Sequence, residues 1–251
     1  MRYLRAVDFN AFKGEGYEYQ MMYVGESCRV IASHVAAGGA APAQHIHEVD
    51  QLYYITDGEM NVVLGSERFS AGPDTVVFIP AGTPHHNYNT GTEHEFHFEV
   101  LAPGPNPNYQ PWREVDSADA GDRPYFVKKL EDVAKESLAE CDRWTMVSRA
   151  DGAENMILYV VTVPPGVGAA QLHVRTVDQF CYVLDGELHV EVALETHVAR
   201  RHELLVLPAG VPHRMWNAGS EPVRHLGLVA PSREVAPGER EDIPVRFGVA
   251  A

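Results

Sequence analysis

The sequence is poor in cysteine. Its three, Cys28, Cys141 and Cys181, lie far apart. That odd, unpatterned set provides neither a disulfide framework nor a thiolate metal site. Reduced thiols in a cytoplasmic protein are the expectation. Basic residues are scarce too: 20 Lys and Arg stand against 35 Asp and Glu, a formal charge of -15. Without clustered cations the chain is expected to bind neither nucleic acid nor an anionic membrane surface. No apolar run approaches the roughly 18 residues of a membrane span. The opening MRYLRAVDFN lacks the apolar region of an export signal. There is no phosphate loop of the form G-x-x-x-x-G-K and no G-x-S-x-G nucleophile elbow.

What is present is a repeat. His45, Gln51, Gly58, Pro80, Gly82, His85 and Asn89 recur 128 positions later as His173, Gln179, Gly186, Pro208, Gly210, His213 and Asn217. The register runs without a gap from Gly38/Gly166 to Pro103/Pro231, which marks two copies of one structural unit. Each copy reads as β. CRVIASHVAAGG and MILYVVTVPPG are strands stopped by Pro or Gly, and TVVFIPAG and ELLVLPAG are strands closed by Pro-Ala-Gly. QLYYITDGEMNVVLG and QFCYVLDGELHVEVA read as hairpins, with Asp-Gly as the turn. Many short strands separated by turns imply a sandwich or barrel. The sequence divides into an N-terminal unit, residues 1–103, a Pro-rich linker, 104–125, and a C-terminal unit, 126–251. VKKLEDVAKESLAE, after the linker, is the one stretch with a helical pattern.

The repeated phrase resembles the two motifs of the cupin family, and its duplication resembles a bicupin. Gly39, His45, His47, Gln51 and Gly58 stand in the first motif; Gly72, Pro80, Gly82, His85 and Asn89 stand in the second, with two extra residues before the proline. The resemblance spans about three quarters of the chain, from Gly38 to Pro231, and implies an all-β protein of two jelly-roll barrels. It also implies enzymes: three-histidine cupins include dioxygenases that cleave aromatic rings or diketones. Others use Ni, Zn or Mn without redox change, as cyclases, isomerases or hydrolases.

The residues support that chemistry. Alternate residues of a strand face one way, so His45 and His47 can both point into a barrel, where His85 can join them. Three imidazoles on a rigid scaffold suit one divalent transition metal: Fe first, with Mn, Ni, Zn, Co or Cu as alternatives. Gln51 stands where the family often has Glu. Its amide oxygen either binds the metal or holds a metal-bound water. All four donors are neutral, so the ion keeps its full charge and favours an anionic or enolizable substrate. A glutamine cannot act as a base, and His34 and His97 are the candidates for that role. His86 should point away from the site. In the second copy His173, Gln179 and His213 remain, but Arg175 replaces the second metal histidine. A guanidinium cannot ligate, so this barrel is expected to hold no metal, and Arg175 either pairs with a carboxylate or binds an anion. The first functional expectation is a dioxygenase acting on a small molecule. A non-redox metalloenzyme and a small-ligand binding protein are the alternatives. A homodimer is expected.

Overall fold

In a computed structural model of the chain, residues 3–14, 16–41, 43–105, 112–116, 119, 121–232 and 242–245 are described. They fold into four β-sheets, two for each copy of the repeat. In the first copy a six-stranded sheet is built on the strands Arg29–Val35, Asp50–Asp57, Thr75–Ile79 and Glu95–Ala102. It faces a five-stranded sheet carrying His45–Ile46, Met60–Leu64, Glu67–Ala71 and His85–Tyr88. Tyr53, Ile55, Met60, Val62, Leu64, Val77 and Ile79 from both sheets form one buried cluster. The second copy repeats the plan: Ile157–Val163, Asp178–Asp185, Glu203–Leu207 and Val223–Ala230 occur 128 residues after their counterparts, around a core of Val183, Leu188, Val190, Leu205 and Leu207. Both are jelly-roll barrels, as expected.

Two local expectations fail. Asp57-Gly58 does not close a hairpin. Asp50–Asp57 pairs with Thr75–Ile79 and Glu95–Ala102, whereas Met60–Leu64 pairs with Glu67–Ala71 and His85–Tyr88. The Asp-Gly turn therefore carries the chain from one sheet to the other. Gly58 has φ +74°, and a Cβ there would lie 2.3 Å from the carbonyl oxygen of His94, so this crossing requires glycine. The predicted helix is absent as well. Phe126–Lys129 and Lys135–Ser137 are strands, with a short 3-10 turn, Leu130–Asp132, between them. Phe126–Lys129 pairs with the edge strand Thr75–Ile79, and a sheet edge needing backbone partners overrides a weak helical pattern.

The compact units are not contiguous in sequence. Residues 7–133 and 146–156 form one, and residues 1–6, 134–145 and 157–251 form the other. The first copy's edge strand is covered by Phe126–Lys129, which lies beyond position 103. In the second copy the corresponding strand, Glu203–Leu207, is covered by Leu4–Ala6. Tyr3 and Leu4 pack into the second core. Each barrel thus borrows a strand from the segment that precedes the other, across the boundaries expected at 103 and 126.

Candidate metal centre

The Pro-Ala-Gly turn explains how the histidines meet. The N–H of Gly82, whose φ is +79°, donates to the carbonyl of His47 at 2.8 Å, and that of Thr83 to Pro80 at 3.1 Å. Asp50 accepts from the N–H of Ala81 at 3.1 Å and is itself clamped by Arg123 at 2.6 and 2.8 Å. The turn therefore fixes the backbone of His47 and starts the strand that opens with His85. His45 pairs directly opposite His85. Asn89, the last motif residue, is structural: its amide donates to the carbonyls of Val35 and Glu93 at 3.1 and 2.8 Å.

The result is a cluster of three imidazoles, from His45, His47 and His85, whose donor atoms all lie within 4.8 Å of one another. Their ring centroids are 4.3 to 5.3 Å apart. The Nδ1 atoms of His45 and His85 face the carbonyls of Ala43 and Thr83 at 3.0 and 2.9 Å. A carbonyl only accepts, so each Nδ1 carries the proton and each Nε2 keeps its lone pair. Nε2 of His85 is buried and has no hydrogen-bond partner, a costly condition that a bound cation would relieve. Burial holds the His85 imidazole well below its ordinary pKa, with His45 and His47 adding to the shift. Burial lowers that of His45 as well. Rings that stay neutral with a free lone pair fit a divalent transition metal.

Gln51 lines the same cavity of about 450 Å³ as His45 and His47. Its Nε2 donates to Oε1 of Glu99 at 2.6 Å, while its own oxygen is buried and without a partner. Glu99 is the residue that sequence reading missed. It sits on Glu95–Ala102, only 3% exposed, and also accepts from Tyr17 at 2.9 Å and Ser33 at 2.8 Å. No motif contains it. The alternation of FHFEV in the last strand could have shown that Glu99 faces the same way as His97. Tyr19, Met21, Arg29, Ile31 and Trp112 complete the cavity wall, and Trp112 lies edge-on to His45 at 5.7 Å.

The two base candidates separate. His34 is buried on the opposite face of its strand from Ser33. Its Nε2 meets Nδ1 of His94 at 2.8 Å, its Nδ1 lies 3.3 Å from Glu18, and its ring packs on Phe12 and Phe96. His34 does not line the cavity. His97 stands behind Glu99, with Nε2 3.9 Å from its carboxylate and Nδ1 2.9 Å from Glu95. Burial opposes charge on His97, but Glu95 and Glu99 outweigh it and raise its pKa. Burial raises the pKa of Glu95, offset in part by His97. His86 is half-buried, stacked on Tyr88 at 5.6 Å, and alternates away from His85 as expected.

In the second barrel His173 and His213 also meet, with ring centroids 4.5 Å apart, and the Pro-Ala-Gly turn is reproduced: Gly210 donates to the carbonyl of Arg175 at 2.8 Å. Arg175 itself donates to Asp242 at 2.8 Å, and Nε2 of His173 lies 3.7 Å from the same oxygen. The guanidinium is thus paired with a carboxylate, and no metal-binding cluster forms there among the described residues. Gln179 lines a cavity of about 550 Å³ with His173 and Arg175.

Two barrels of one plan, each opening on residues of a repeated histidine motif, define a bicupin. The chain belongs to the cupin family: the cupin domain matches residues 32–101 and 159–229, one stretch in each barrel. Among solved structures, a deletion mutant of Bacillus subtilis oxalate decarboxylase is similar, with TM-score 0.70 and 14% identity over 91% of this chain and 77% of that one. A structure of the same enzyme concerned with its Mn(II) centres gives 0.70 and 15% over 93% and 78%. A putative glyoxylate-induced protein from Pseudomonas aeruginosa gives 0.69 and 18% over 90% and 85%. At these identities the likeness is one of fold. No curated protein matches the chain. No helix among the described residues is long and apolar enough to cross a membrane, and none of the three cysteines is in a disulfide.

Proposed function

We propose that the protein is a mononuclear-metal enzyme acting on a small anionic or enolizable organic substrate in its first barrel. One observation carries this reading: three imidazoles with donor atoms within 4.8 Å of one another, beside a cavity of about 450 Å³, a size that suits small-molecule sites. His45, His47 and His85 would hold the ion, with Gln51 beside them. Bound there, the metal would supply Lewis acidity and, if it is iron, a place for dioxygen. The chain's own groups do the rest. Arg29 offers an anion a guanidinium, Tyr19, Met21, Ile31 and Trp112 cover an apolar body, and Tyr17, Ser33 and Gln51 hold Glu99 in the wall.

The first reading of the reaction is dioxygenation with iron. A redox-neutral reaction is the second reading, favoured by Glu99, a carboxylate of the kind that proton abstraction beside a carbonyl uses. Metal analysis of protein purified without added metal, followed by an oxygen-uptake screen over small carboxylates and diketones, tests both. Iron with substrate-dependent oxygen uptake supports the first. Manganese, zinc or nickel with anaerobic turnover supports the second. A metal-free protein that binds a ligand unchanged would sink the enzyme reading.

The protein is further proposed to act in the cytoplasm as a homodimer. In support, Tyr17–Val24 is the outer strand of its sheet and exposes Val24, an edge that a second copy would cover. Sedimentation of the purified chain checks this, and a monomer at micromolar concentration would count against it.

A further inference from the structure

We infer that Glu99 is a positioning residue for Gln51: by accepting an amide N–H it commits Gln51 to present its carbonyl oxygen, not its nitrogen, to a metal held by His45, His47 and His85. The inference rests on the metal site proposed above.

An amide has two faces of nearly equal size, one donating and one accepting, and rotation about its last bond exchanges them. What fixes the choice is the partner. A carboxylate only accepts, so the contact of 2.6 Å between Gln51 and Glu99 must use the NH₂ group. The oxygen is then the remaining donor atom, and it is buried with no hydrogen-bond partner. An amide turned the other way would set two acceptors against each other and leave its NH₂ toward the cation.

Glu99 is itself held so that it can do this. Tyr17 and Ser33 both donate to Oε2, at 2.9 and 2.8 Å, leaving Oε1 for Gln51. Two hydroxyl groups from two strands thus fix the carboxylate before it fixes the amide. Glu99 and Gln51 lie on paired strands, with Glu99 opposite Tyr53 and Gln51 opposite Leu101, so the two reach each other on the diagonal of one sheet face.

The repeat supplies an internal comparison. Gln51 is kept in the second copy as Gln179, but position 99 becomes Gly227 and position 33 becomes Val161. The strands superpose in register there, since Ser33 pairs opposite His97 and Val161 opposite His225. The clamp is therefore present in the copy that keeps three imidazoles and missing from the copy that replaced one of them by Arg175. A glutamine retained for packing alone would need the carboxylate in neither copy.

The test is a double-mutant cycle on metal affinity, using the full chain stripped of metal and titrated with Co(II). The proteins are the parent, Glu99→Leu, Glu99→Gln, Gln51→Ala and the two double variants. Leucine removes every acceptor at similar volume. Glutamine keeps one acceptor and guards against misfolding of the leucine variant. Glu99→Leu is expected to weaken Co(II) binding about tenfold or more, Glu99→Gln by less, and neither is expected to matter once Gln51 is alanine. The visible absorption of bound Co(II) in Glu99→Leu should move to that of Gln51→Ala. If the loss persists undiminished in the Gln51→Ala background, Glu99 acts through its charge and the inference is overturned. If affinity and spectrum are unchanged in both Glu99 variants while the parent binds Co(II), the inference fails and the metal site stands. A parent that binds no Co(II) overturns both.

Discussion

Arg175 donates to Asp242 at 2.8 Å, at the position that His47 occupies in the first barrel. A fixed positive charge, neutralised by Asp242, takes the place where the other copy can take a cation. The rest of the ligand pattern persists: Gln179 and His213 each keep a buried, partnerless acceptor atom.

Changing Arg175 to His should therefore restore metal binding to the second barrel. Metal content, measured beside the parent with the same metal supplied, should rise from about one per chain towards two. Arg175→Ala, which removes the charge without adding a ligand, should stay near one. A parent that already holds two would show that Arg175 is no barrier.

His47→Ala should remove most of the metal from the first barrel. His47 is the half-buried member of the cluster and its backbone, not its ring, accepts from Gly82, so the turn should survive. Elemental analysis is expected to show the loss with the β-sheet circular dichroism intact. Unchanged metal content would move the site elsewhere.

Gln51→Glu should behave differently with and without metal. The new carboxylate would sit against Glu99, in place of a contact of 2.6 Å, and two carboxylates so close cannot both ionise. One is forced to keep a proton, with a folded-state pKa raised above its unfolded value of about 4.3. That group's contribution is present at low pH and lost as pH rises through the raised value. The metal-free variant should thus lose stability relative to the parent between about pH 4.3 and neutrality, and added Mn(II) should restore it. Urea midpoints at several pH values, with and without Mn(II), decide; parallel profiles would mean that the two side chains do not meet.

His225 gives the second barrel an acid sensitivity. Burial pushes its pKa from 6.5 down to about 4. The unfolded chain takes up a proton below 6.5, while the folded chain resists until about 4, so stability falls as pH falls between them, by at most about 1.4 kcal/mol per pH unit. His225→Gln cannot titrate. The difference in urea midpoint between pH 7 and pH 5 should be smaller in that variant than in the parent. An equal difference would mean that other groups govern the acid response.

The sequence by itself determined the repeat, the two β-barrels, the three imidazoles and the odd residue Arg175. These rest on local rules that any single strand obeys: alternation places His45 and His47 on one side, and Pro-Ala-Gly places His85 at the start of a strand. Only the tertiary structure decided which strands pair. Asp57-Gly58 carries the signal of a tight turn, but a turn residue fixes backbone conformation and not the partner that each strand then finds, so the expected hairpin is a crossing between sheets. VKKLEDVAKESLAE lost its helix for the same reason, because an open sheet edge offered its backbone better partners than a helix of its own. Glu99 was invisible for a related cause. Nothing near it in sequence resembles a ligand motif, and its role arises from Gln51, Tyr17 and Ser33, which are 48, 82 and 66 residues away and become neighbours only when the barrel closes. The same closure decided between the two histidine candidates: His34 faces away from the cavity and His97 stands behind Glu99, a difference of one residue in strand parity that the fold alone could assign.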